Sequence, residues 1–115
     1  MNKDLETYIE NAKAQLRKGM LEFSVLLSIG DVEAYATDIL NNLKKFDLLV
    51  VEGTLYPILS RLRESGFLSY NWVESKGGPP RKYYKLTDKG KEVLEELKGA
   101  YKRMDNSINQ LISHK

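Results

Sequence analysis

The chain has 115 residues, 42% of them hydrophobic and 30% charged, with a net charge of only +2, which allows one domain with a modest core and excludes a globally basic nucleic-acid tail. It contains no cysteine, which excludes a disulfide framework, thiolate metal sites and thiol catalysis. No apolar run reaches the roughly 18–20 residues of a membrane span, and Met1-Asn2-Lys3-Asp4 opens no signal-like apolar region, so a cytoplasmic location with no membrane partner is expected.

Leu5, Tyr8, Ile9, Ala12 and Leu16 recur at intervals of three and four, predicting an amphipathic helix that ends near Gly19. Met20 to Ile29 is apolar almost all round and predicts a separate, buried central helix. Gly30-Asp31 marks a stop and turn. A third helix follows with Tyr35, Ile39, Leu40, Leu43 and Phe46 on one face, and Asp47-Leu48-Leu49-Val50-Val51 reads as an extended connector packed on the core.

Glu52 to Ser65 forms the next predicted helix, closed by Gly66 in a left-handed cap position. Leu55, Ile58, Leu59 and Leu62 make one apolar stripe at i, i+3, i+4 and i+7, leaving Tyr56, Pro57, Ser60, Arg61 and Glu64 on the opposite face. Thr54 is the expected N-cap, with Pro57 in the first turn where a missing N–H costs little. Aromatic, β-prone segments then flank Gly77-Gly78-Pro79-Pro80: Ser69 to Val73 before it and Lys82 to Leu86 after it. The natural reading is a hairpin, and Lys76, Arg81, Lys82 and Lys85, with no acid among them, give it a positive tip suited to a polyanion. Thr87 is the expected N-cap of the last helix, in which Leu94, Leu97, Tyr101, Met104, Ile108 and Leu111 follow a heptad seam.

Three helices and then a hairpin describe a winged helix-turn-helix within a mainly α (α+β) fold. Residues 1–86 hold the N-terminal helix and the winged helix-turn-helix, and residues 87–115 a C-terminal dimerisation helix. Glu52–Ser65 is the expected recognition helix.

The residues Glu52-Gly53-Thr54-Leu55-Tyr56-Pro57-Ile58-Leu59, with Arg61-Leu62, Glu64 and Gly66, resemble the recognition helix of the PadR family of bacterial transcriptional regulators. Gly77-Gly78-Pro79-Pro80-Arg81-Lys82-Tyr83-Tyr84-Lys85-Leu86-Thr87, with Gly90 after it, resembles that family's wing and the start of its last helix. Gln15-Leu16-Arg17-Lys18-Gly19 resembles the lead into its first core helix. One position departs: the Tyr-Gly pair usual at the second core helix is Tyr35-Ala36 here. The single C-terminal helix is that of the small members. The resemblance implies a homodimer joined through its terminal helices, binding an inverted-repeat operator in double-stranded DNA and usually repressing transcription, often in a phenolic or multidrug response. It also implies a pore between crossed helices for a small planar aromatic effector, at positions matching Arg17, Met20, Leu21, Tyr101 and Asp105.

In this layout Thr54, Tyr56, Pro57, Ser60 and Arg61 face base edges and flanking phosphates. Lys76, Arg81 and Lys82 grip the backbone, and Tyr35 donates its hydroxyl to a phosphate. Tyr83, Tyr84 and Trp72 read as strand packing. Leu5, Tyr8 and Ile9 join Leu94, Leu97, Tyr101, Met104, Ile108 and Leu111 as the expected dimer surface; the alternative is that the seam only covers the domain's own helices. Likewise Tyr101 and Met104 either line an effector site or simply fill the seam. No enzyme and no cofactor are expected: the single histidine, His114, lies one residue from the C-terminus, no motif activates a nucleophile, and two prolines follow Gly77-Gly78 where a phosphate loop would need N–H groups. The rival function is a winged-helix protein–protein module without an operator.

Overall fold

A computed structural model describes residues 2–48 and 50–114. The chain opens with α1 (Lys3–Ile29), whose N-cap Asn2 accepts hydrogen bonds from the Asp4 and Leu5 amides. At 1.5 Å per residue its 27 residues make a rod of about 40 Å. The helix runs straight through Gly19, so the two helices expected on either side of that residue are one. A lone glycine in a helix costs only about 1 kcal/mol against alanine, too little to end a helix whose last turns, Ser24 to Ile29, are packed in the core.

Gly30 ends α1, and β1 (Ala34–Tyr35) leads directly into α2 (Ala36–Lys45). The Asp38 carboxylate accepts from the Tyr35 amide at 2.9 Å and fixes the start of α2. At the other end the Leu48 amide bonds the Leu43 carbonyl and the Asp47 amide that of Lys44, with Asp47 at φ 64°. This paired closure turns the chain sharply, so Asp47 is not extended as expected, and Phe46 is 70% exposed rather than on the buried face. Leu49, part of the expected connector, lies outside the described residues.

The third helix, α3 (Glu52–Glu64), starts from Val51, not Thr54; Thr54 is its third residue and Pro57 its sixth. Pro57 therefore sits beyond the first turn, where it removes the N–H that would bond the exposed Gly53 carbonyl. Leu55, Ile58, Leu59 and Leu62 are all buried as the spacing predicts. Gly66, at φ 84°, closes the helix: its amide bonds the Arg63 carbonyl and that of Phe67 the Leu62 carbonyl. The left-handed conformation there suits glycine and penalises a side chain.

Two strands and a final helix complete the chain: β2 (Leu68–Val73), β3 (Arg81–Leu86) and α4 (Asp88–Ser113). The antiparallel sheet has the order β1-β3-β2, with Leu68 opposite Leu86 and Val73 opposite Arg81. The short β1, not foreseen, pairs Ala34 with Tyr84 and Tyr35 with Tyr83. Thr87 caps α4 as expected, its hydroxyl accepting from Gly90 N–H at 3.0 Å and donating to the Gly66 carbonyl at 2.6 Å.

The core gathers Val25, Leu26 and Ile29 of α1, Ile39 and Leu43 of α2, the α3 stripe, Leu68, Tyr84 and Leu86 of the sheet, and Leu94 of α4. Each fully buried Leu, Ile or Val contributes roughly 1.5–3 kcal/mol. Burial raises the Tyr84 phenol above its ordinary value, helped by the nearby Tyr56 and Tyr70 hydroxyls and opposed by Arg63. The second half of α1 is not buried all round: Leu27 stays exposed, while Met20 and Phe23 are half-buried. No described helix is long and apolar enough to cross a membrane.

Candidate nucleic-acid interface

The outward face of α3 is flanked by two clefts. On the wing side, a cleft of about 310 Å³ is lined by Tyr35 at the end of β1, Ala36 and Thr37 of α2, Tyr56 of α3, and Trp72, Pro80, Arg81, Lys82 and Tyr84 of the wing. Four expected contact residues, Tyr35, Tyr56, Arg81 and Lys82, thus converge there. On the α1 side, a cleft of about 400 Å³ holds Thr54, Pro57 and Arg61 opposite Lys18 and Glu22. Ser60 is exposed on α3, and Lys76 is exposed at the hairpin tip.

Three of the expected cations, Arg61, Arg81 and Lys82, make side-chain contacts, and among the described residues only Arg61 of the three is paired with a carboxylate. The Arg81 guanidinium lies 4.1 Å from the Tyr35 ring centroid and donates to Thr37 Oγ1 at 2.6 Å. The Tyr35 and Tyr83 rings lie tilted at 4.5 Å between centroids, so the tip-side half of β3 is fastened to the start of α2. Arg61 donates from Nε and Nη2 to Glu22 Oε1 at 3.2 and 3.1 Å. The Lys82 ammonium lies 4.6 Å from the Tyr70 ring and 5.4 Å from that of Trp72, and Arg63 approaches Tyr70 at 4.8 Å. Cation–π contacts of this kind orient a charge without neutralising it, so Arg81 and Lys82 remain available to an anion. Trp72 is 62% exposed, not packed away between strands.

The residues matched to an effector pore separate. Met20 and Tyr101 share a cleft of about 500 Å³ with Phe23, Leu27, Leu48, Lys98 and Lys102, and the Phe23 and Tyr101 rings lie 5.7 Å apart. Arg17 and Leu21 line a different cleft, against Val50, Val51 and Thr54. Met20, with Phe23 and Leu27, meets Leu48 and α4, whereas Arg17 and Leu21 meet Val50, Val51 and the start of α3. Asp105 is exposed and lines neither cleft.

Of the residues expected at a dimer surface, Leu5 and Tyr8 are exposed and Ile9 half-buried. Leu94 lies in the chain's own core and Leu97 packs against it. From Tyr101 onward the seam is open, with Met104 53% and Ile108 54% exposed and Leu111 more so. The sequence reading missed Glu22 and Thr37, the partners of Arg61 and Arg81. Glu22 had a signal: it is the single charged residue in the apolar run Met20–Ile29.

A helix-turn-helix in which α3 presents its free face beside a basic two-stranded wing defines the winged helix-turn-helix class. Residues 25–96 match the profile of the transcriptional regulator PadR-like family, and the chain belongs to that family. A PadR-like transcription factor of known structure from Bacteroides fragilis is 52% identical, with 88% of this chain and 98% of that one covered and a TM-score of 0.74. A PadR family regulator from Eggerthella lenta is 27% identical over 99% of this chain and 100% of its own, with a TM-score of 0.88. Bacillus subtilis PadR, solved in complex with operator DNA, is 25% identical over 68% of this chain and 46% of its own, with a TM-score of 0.64.

Proposed function

We propose that the protein is a repressor that binds an inverted-repeat operator as a homodimer in the cytoplasm and is released by a small planar aromatic compound. The observation that carries the DNA-binding part is the convergence of Tyr35, Tyr56, Arg81 and Lys82 on one cleft between α3 and the wing. The likeness to a relative solved with operator DNA supports it. In this reading residues 1–86 read DNA and residues 87–115 join the protomers. Tyr56, Ser60, Thr54 and Pro57 meet base edges, while Lys76, Arg81 and Lys82 hold phosphates and the Tyr35 hydroxyl donates to another. Two such units related by a twofold axis address half-sites about one DNA turn apart.

A gel shift on the DNA upstream of the protein's own gene and its genomic neighbours tests this directly. Three wing cations per protomer make about six phosphate contacts per dimer, so affinity should fall about a thousandfold between 50 and 200 mM salt. A sharp footprint on an inverted repeat is the expected result. Absent or salt-insensitive binding would favour the rival reading, a winged-helix module that docks on another protein.

The release step rests on the cleft between α1 and α4, where Phe23 and Tyr101 offer ring faces to a flat ligand. Stacking on an aromatic side chain is worth about 0.5–1.5 kcal/mol beyond area burial. Tyr101→Ala should therefore weaken binding of a planar aromatic dye about 2- to 12-fold and blunt operator release by phenolic compounds. Unchanged dye binding and release in this variant would remove the cleft as the effector site.

A further inference from the structure

Glu22 and Arg61 face each other across the cleft between α1 and α3, on the flank of the helix that meets DNA in the reading above. Both N–H groups that Arg61 commits go to one carboxylate oxygen, at 3.1 and 3.2 Å. The two side chains are 58% and 51% exposed, so water surrounds the pair. An exposed pair of this kind contributes little to folding, and its main effect is on the charge that the surface offers to a polyanion. Lys18 lines the same cleft, so without Glu22 this flank would carry two unopposed cations.

We infer that Glu22 is a positioning residue that masks Arg61, holding its guanidinium away from DNA phosphates and thereby lowering the protein's affinity for DNA of any sequence. The inference rests on the DNA-binding reading proposed above. A phosphate can recruit Arg61 only by displacing both hydrogen bonds and approaching the Glu22 carboxylate, and that like-charge approach opposes binding. Non-specific binding is the state most sensitive to such a mask, because phosphate neutralisation supplies nearly all of its affinity.

The test is a charge cycle read by fluorescence anisotropy on a labelled non-operator duplex at several potassium chloride concentrations. Wild type, Glu22→Gln, Arg61→Gln and the double variant are compared, with folding of each checked by thermal melting; Arg61→Met replaces Arg61→Gln if that variant does not fold. Glu22→Gln is expected to bind about fivefold more tightly than wild type at low salt. Its plot of log affinity against log salt should steepen by about 0.9 per protomer, the value for one added phosphate contact. In the Arg61→Gln background the same change should have no more than a twofold effect. An equal gain in both backgrounds would mean that Glu22 acts only through general surface charge, and would overturn the inference. A loss of affinity in Glu22→Gln would make the pair a strut instead of a mask, and would overturn it too. Unchanged binding in Glu22→Gln, with wild type still binding in a salt-dependent way, defeats the mask alone. Absence of salt-dependent binding by wild type defeats the DNA-binding reading and the mask together.

Discussion

Gly90→Ala is expected to lower the melting temperature by about 12 °C. A methyl group at Gly90 would stand 2.0 Å from the Phe67 carbonyl oxygen and 2.9 Å from its carbon. These are backbone atoms and cannot swing aside like the end of a side chain. The Phe67 carbonyl accepts from Thr87 N–H at 3.1 Å, and the Phe67 amide donates to Leu62, so retreat on either side breaks a hydrogen bond. Overpacking of this severity costs about 3 kcal/mol, and each kcal/mol lowers the midpoint by roughly 4 °C in a domain of 115 residues. Gly19 is the internal control. It lies inside α1 with nothing within 4 Å of an added Cβ, so Gly19→Ala should stabilise by up to about 1 kcal/mol. Circular dichroism melts of the two variants should move in opposite directions. A Gly90→Ala protein melting within about 3 °C of wild type would mean that α4 can slide off Phe67, and the crossing would lose its importance.

Ile108→Glu is expected to yield folded monomers that scarcely hold the operator. Ile108 is 54% exposed in the protomer and belongs to no part of its core, so the substitution leaves the protomer's packing alone. In a dimer seam it would set a carboxylate among Met104, Leu111 and their symmetry mates, and burying an unpaired charge is costly enough to keep the helices apart. Sedimentation at low micromolar concentration should give the monomer mass with unchanged helix content. Losing the second DNA-reading unit removes the effective-concentration advantage, so operator affinity should drop 10²- to 10⁴-fold. A variant that still sediments as a dimer would locate the protein's self-association elsewhere than α4.

Much of this architecture could be read from periodicity and turn chemistry. The α3 stripe, Gly66, the hairpin and the Thr87 cap are local signals: each is set by residues within about a turn of one another, and each falls where the spacing put it. The misreadings share a different cause. Gly19 has a strong local preference against helix interiors, yet it sits within α1 because about 1 kcal/mol is too little to end a helix whose last turns pack in the core. Pro57 is helical as expected but sixth in α3, because the helix starts at Glu52. Thr54 has an N-cap side chain but no vacancy, since α3 begins three residues earlier. β1 exists only because the folded hairpin offers Tyr83 and Tyr84 to a two-residue segment, a pairing that no window of sequence contains.

The site was legible in part for the same reason. Residue types and their faces were readable, so spacing alone set Tyr56 on the outward face of α3 and Arg81 and Lys82 on the hairpin. Which cations are fastened, and to what, depends on contacts across 39 residues for Arg61 with Glu22 and 44 for Arg81 with Thr37. The effector positions line two clefts of the single chain, Met20 and Tyr101 in one and Arg17 and Leu21 in the other, and a pore between crossed helices of two copies is no local signal of either.

The exposed Trp72 gives the molecule a built-in optical reporter. It is the one tryptophan in the sequence, it stands on the wing beside the Lys82 ammonium, and its ring meets that of Tyr70 edge-on at 5.9 Å. Excited at the red edge of its absorption band, the protein emits from this residue alone. Wing engagement can therefore be followed in unlabelled protein through changes in the intensity and wavelength of a single fluorophore.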